Sequence, residues 1–168
     1  MVIPTYAGII IDLIVALILA FSFVGGLKEG AVKEFFGILA FIIALAFTGA
    51  FMVYVLGWMS FAQDSLWRAF LTFLVTMTII LIVLNLALLP PRYLLDKVWN
   101  GGFIWSALGG IFGVVNTALG LVLMVIILEI YPVLNWLSGW LAASNILNWL
   151  VSSFGSTILT LMHMTGIY

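Results

Sequence analysis

Four long apolar runs dominate this chain, at about 6–25, 31–58, 69–89 and 104–128, and the last two contain no charged residue. A helix needs about 20 residues to cross a hydrocarbon layer about 30 Å thick, and inside that layer only helices and closed barrels satisfy every backbone donor and acceptor. The chain is therefore expected to be an all-α integral membrane protein, with four transmembrane helices forming one domain over about 1–132. Composition points the same way. Of 168 residues, 66% are hydrophobic and 7% charged, whereas a soluble domain carries about 25% charged residues. Five basic and six acidic residues leave a net charge of -1 and gather into no patch, so no nucleic-acid partner is expected. The absence of cysteine excludes disulfides, thiolate metal sites and cysteine nucleophiles. The first run follows neither a basic leader nor a small-residue cleavage site, and it reads as a retained span rather than a signal peptide.

Short polar stretches punctuate the runs. Pro4 stands where the first helix can begin. Gly26, Lys28, Glu29, Gly30, Lys33 and Glu34 form a tight, wet turn, with Gly25, Gly26 and Gly30 supplying the backbone freedom of a reversal. Glu29 and Lys33 have the i,i+4 spacing that suits the start of the next helix. Trp58 and Trp67 bracket a loop containing Asp64, and Arg68 follows directly. Pro90-Pro91 should stop the third span, and the stretch 92–99 reads as a short interfacial piece anchored by Tyr93 and Trp99. Gly101-Gly102 turns the chain into the fourth span, which Glu129 and Pro132 close. Four alternating spans place Lys28, Lys33, Arg92 and Lys97 on one side and Arg68 on the other. The positive-inside bias then makes the loops 26–34 and 90–103 cytoplasmic and both termini external.

The stretch 133–168 has no charge apart from what His163 can carry, but it is patterned. Asn135, Ser138, Asn145, Asn148, Ser152 and Ser156 recur at intervals of three, seven, three, four and four, which aligns them along one side of a helix. The stretch reads as an amphipathic helical segment lying in the interface. A fifth span and a re-entrant hairpin are the other placements of the same stripe.

Two constellations stand out within the spans. Gly109, Gly113, Thr117 and Gly120 form a small-residue ridge on the fourth, of the kind that lets helix backbones approach closely. Packing within the chain and a contact between copies are both compatible with it. A carboxylate at membrane depth needs a partner or water. Asp12 lies about seven residues inside the first span, Glu129 ends the fourth on the same side, and Arg68 is the basic residue expected there. Asp12, Arg68 and Glu129 are thus expected to form a polar cluster, whose functional form would be a proton or ion path; the alternative is that Asp12 lies near enough to the surface to be hydrated, or caps a helix. Asn85 and Asn116 read as interhelical hydrogen-bonding residues. His163 is the only histidine, and a metal site would need ligands that are scarce here. No nucleophile elbow, zinc-binding His-Glu-x-x-His or phosphate loop occurs, and neither catalysis nor a cofactor is expected.

A family resemblance follows from three segments. Asp12 followed by Gly26-Leu27-Lys28-Glu29-Gly30-Ala31-Val32-Lys33-Glu34 resembles the colicin V production (CvpA-like) family of bacterial inner-membrane proteins. The stretch Leu108-Gly109-Gly110-Ile111-Phe112-Gly113-Val114-Val115-Asn116-Thr117-Ala118-Leu119-Gly120 is similar to that family's last helix, and Ser144-Asn145-Ile146-Leu147 to the serine-containing stretch after it. The resemblance implies a non-enzymatic inner-membrane accessory protein associated with toxin export, membrane integrity or assembly. Its partners would be membrane lipid and other membrane subunits, or further copies of itself. Two other readings stay open from the residues alone: a structural subunit of a larger energy-converting complex, and a channel or transporter with a path at Asp12, Arg68 and Glu129.

Overall fold

The structure, a computed structural model, describes residues 5–58, 65–98 and 102–164. Pro4, Asp64, Trp99 and Gly101, to which the sequence assigns roles, lie outside these. The described residues form helices α1 (Thr5–Glu29), α2 (Ala31–Trp58), α3 (Ser65–Ala87), α4 (Leu89–Val98), α5 (Phe103–Ile130), α6 (Asn135–Ala142) and α7 (Asn145–Met164). α1, α2, α3 and α5 are long and apolar enough to cross a membrane, so the chain is an all-α membrane protein.

α1 and α2 are joined by a single non-helical residue, Gly30, at φ 85°. Left-handed backbone costs an L-residue roughly 1–2 kcal/mol, and glycine avoids that cost. The turn is tighter than the sequence implies. α1 runs on through Gly25 and Gly26 to Glu29 in helical geometry, so Gly30 alone makes the reversal. Glu29 closes α1 and Lys33 opens α2, and their 2.9 Å ion pair bridges the reversal instead of bracing one helix.

The proline pair also acts differently from its expected role as a stop. α3 ends at Ala87, and Pro90 and Pro91 lie in the first turn of α4, where a missing N–H leaves no intrahelical bond broken. Leu88 N–H donates to the Leu84 carbonyl and Arg92 N–H to the Leu88 carbonyl, so hydrogen bonding continues across the junction.

α5 is the central element. It packs on α1 and α2 and carries α7, while α3 packs chiefly on α2. The core gathers Ile11 and Val15 of α1, Phe41 and Leu45 of α2, Phe73 and Met77 of α3, the α5 face from Ala118 to Ile127, and Leu147, Leu150, Ile158 and Met162 of α7.

The C-terminal stripe belongs to two helices, not one. Asn135 and Ser138 are on α6, and Asn145, Asn148, Ser152 and Ser156 are exposed on α7, opposite its buried apolar residues. Register fixes how α7 lies. Ser22 of α1 meets Gly113 and Thr117 of α5, and Gly26 meets Gly109, so the antiparallel pair places Asp12 about level with Ile126. α7 touches Asp12 at Ile146 and Ile126 at Gly155. Those α7 residues are about 14 Å apart along its axis, with little change in depth along the bundle. α7 therefore runs across the bundle, over the end that holds the start of α1 and the end of α5.

Candidate functional site

Polar side chains in the bundle form three joints. The first binds α1 to α7. Asp12 accepts from Ser144 Oγ at 2.5 Å, from the Ile146 backbone N–H at 3.0 Å and from Asn145 Nδ2 at 3.4 Å. Ser144 Oγ in turn accepts from Leu147 N–H at 3.1 Å, which is the bond of a helix N-cap. The first turn of α7 thus receives acceptors from its own serine and from a carboxylate on another helix, with the negative charge at the positive end of the helix dipole. One turn before Asp12, Gly8 lies against the Ala143 carbonyl, where any side chain would collide.

This is where the structure places the first expected cluster. It brings Asp12 to Ser144, Asn145 and Ile146. Arg68 Nη2 donates instead to the Leu56 carbonyl at 2.8 Å, tying the start of α3 to the last turns of α2. Glu129 is exposed near the end of α5. Among the described residues no ion pair links Arg68 to Asp12 or Glu129.

The second joint is the α1–α5 crossing. Gly109 carries the carbonyl against which Gly26 packs, and the Gly26 carbonyl lies against Gly109 in return. A Cβ on Gly113 would sit 2.8 Å from the Ser22 carbonyl. Ser22 Oγ donates to the Gly113 carbonyl at 2.7 Å and lies 2.5 Å from Thr117 Oγ1. Gly109, Gly113 and Thr117 therefore face α1. A Cβ added at Gly120 would meet nothing within 4 Å, and the residue opens on an apolar groove between α3, α5 and α6.

The third joint surrounds the α1–α2 turn. Asn116 of α5 donates to Glu34 Oε2 at 3.5 Å, in space left by Gly37. Arg92 of α4 donates to Asn85 Oδ1 at 2.9 Å and stands over the Phe36 ring, 5.9 Å from its centroid. Asn85 itself donates to the Leu81 carbonyl of its own helix. Burial lowers the Arg92 pKa, and the carboxylates of Glu34 and Glu29 oppose that shift. The guanidinium keeps its charge in any case. Lys28 is exposed beside this joint, and His163 is exposed on the last turn of α7.

Ser22 and Ser144 are the joint residues that sequence reasoning left without a role. For Ser144 a signal exists: a serine after Ala142-Ala143, followed at once by a helical apolar pattern, is an N-cap signature. Ser22 lies in an apolar run, and nothing in its neighbours marks it.

The fold and these joints define a helical membrane protein whose polar side chains hold helix to helix. More particularly, the chain belongs to the colicin V production protein family, whose sequence model matches residues 11–155. The match runs from the residue before Asp12 to Gly155 in the middle of α7, so every hydrogen bond of the three joints lies inside it. Comparison with curated proteins and with solved structures returned no match.

Proposed function

We propose that the protein is a non-catalytic accessory subunit of the bacterial inner membrane, which contributes to colicin V production or a related membrane task by packing laterally against partner subunits. The single observation that carries this reading is a filled apolar core lying between polar joints. Leu45, Phe73, Val122 and Met162 are fully buried where a conduction path would have to run. Asp12 and Glu34 are each engaged by donors from another helix. These carboxylates serve as struts between helices, which favours an accessory role over a channel.

The outer faces suit a lateral role. Ile9, Ile10, Leu13, Leu17 and Phe21 of α1 are exposed, and the groove at Gly120 between α3, α5 and α6 is lined by apolar side chains. Lys28, Lys33, Arg92 and Lys97 stand at the end of the α1–α2 turn, which on the positive-inside bias faces the cytoplasm, with α7 on the outer side.

Native mass spectrometry of the full chain, released in mild detergent from its own membrane, tests the proposal. A defined complex with other membrane subunits is the expected result. Ion flux through proteoliposomes of the purified chain, lost on Asp12→Asn, would replace the accessory reading with a channel.

A further inference from the structure

Two cavities meet beside the α1–α2 turn. One is a polar cleft of about 300 Å³ with Lys28, Glu29, Asp96 and Ser106 on its walls. The other is an apolar groove of about 380 Å³ lined by Phe35, Phe36, Leu95 and Phe112. Ala31, Val32 and Trp105 line both, so the two adjoin. Each has the size of a small-molecule site. The polar half lies at the helix ends, where a span leaves the hydrocarbon, and the apolar half lies along the spans themselves. This is the amphipathic profile of a single membrane lipid standing upright.

Charge narrows the class. The cleft presents one cation, Lys28, and two carboxylates, Glu29 and Asp96, of which Glu29 is paired with Lys33. An anionic headgroup would face both carboxylates. A headgroup carrying both a phosphate and an ammonium finds a complement for each: the phosphate at Lys28 and the ammonium at Asp96 and Glu29, in charge-assisted hydrogen bonds. We infer that this paired cavity holds one zwitterionic aminophospholipid, with its headgroup in the cleft and an acyl chain in the groove against Phe35, Leu95 and Phe112. Trp105 stands at the joint between the halves, at the glycerol level, where an amphipathic ring is most stable. Such a lipid would fill the wedge between α2, α4 and α5, and its retention does not depend on any partner subunit.

The test is native mass spectrometry of the full chain after reconstitution in nanodiscs of equal parts phosphatidylethanolamine and phosphatidylglycerol. Wild type should retain one phosphatidylethanolamine, preferred about tenfold, as expected for a charge-assisted contact in the cleft. Asp96 is exposed, so Asp96→Lys should fold normally and reverse the preference toward phosphatidylglycerol. Leu95→Trp, which fills the groove, should reduce retention of either lipid. Equal retention of both lipids, retention of none, or an Asp96→Lys variant with unchanged preference would each overturn the assignment. Unchanged unfolding midpoints in detergent exclude loss of fold as the cause.

Discussion

The two halves of α5 solve the same packing problem in opposite ways. Toward the α1–α2 turn, Gly109 and Gly113 bring α5 backbone to backbone with α1 at Gly26 and Ser22. Beyond Thr117, large residues such as Leu119, Val122 and Ile126 interdigitate with Phe41, Leu45 and Phe73, and Gly120 meets nothing. Gly120 continues the same ridge as Gly109 and Gly113, yet its neighbour is an open groove. A small residue in a membrane helix therefore brings two backbones into contact only where the partner is small as well; facing a large side chain, as Gly110 faces Phe23, it makes room for that side chain instead. Gly26 and Ser22 supply that match, and no facing residue supplies it to Gly120.

Gly25 and Gly26 offer the sharpest way to break this contrast, because they adjoin in sequence and differ in surroundings. Gly26→Val should separate α1 from α5 and destabilise the bundle by about 3 kcal/mol or more, since the obstacle is backbone and overpacking a core costs about 1–3 kcal/mol even where side chains can move. Gly25→Val, with open space around it, should change little. Unfolding by SDS titration in mixed micelles measures both, and similar losses would show that flexibility at the turn, not close approach, is what Gly26 provides.

A second contrast sets the tight seam against the hydrogen-bonded α1–α7 joint. Ser144→Ala removes the α7 cap and one donor to Asp12, and should cost about 1–2 kcal/mol. The loss should appear as faster amide exchange in the first turn of α7, with α1–α5 amides unaffected. Exchange rising equally throughout would mean that the two joints are one cooperative unit. The smallest effect belongs to Gly120→Ala, which should fall within about 0.5 kcal/mol of wild type. A large loss there would reveal a partner helix in the groove, contributed by another copy or another subunit.

The bundle itself was legible because hydropathy answers to the membrane alone. Each run of 20 or more apolar residues must become a helix wherever it ends up. The α1–α2 turn was legible in position, although its glycines have separate tasks: Gly30 turns the chain and Gly26 admits α5. Asp12 shows where such reading stops. Depth requires it to have a partner, but which partner depends on how α7 docks, and that is fixed by contacts such as Gly8 with Ala143 and Gly155 with Ile126. Arg68 enters the expected cluster as the one basic residue expected on that side of the membrane, with hydration or helix capping as the alternative for Asp12. A carboxylate engaged by backbone and hydroxyl donors at a helix start satisfies the same requirement without a cation. The split of the C-terminal stripe into α6 and α7 has the same physical origin, since the cap at Ser144 divides them.

The Asp12 joint also carries a consequence for the order of assembly. Its donors are made 132 to 134 residues after the carboxylate. At roughly 5–20 residues per second of synthesis, α1 waits on the order of ten seconds before Ser144 exists. The α1–α5 crossing waits about two-thirds as long, since Ser22 and Gly113 are separated by 91 residues, whereas α2 and α3 can pair as soon as both have entered the bilayer. Biogenesis would thus begin from the α2–α3 hairpin and finish at α1, with the earliest helix made being the last one secured. In that interval the Asp12 carboxylate and the packing sites at Gly8 and Gly26 are uncovered, which makes α1 the segment on which an insertion chaperone would act.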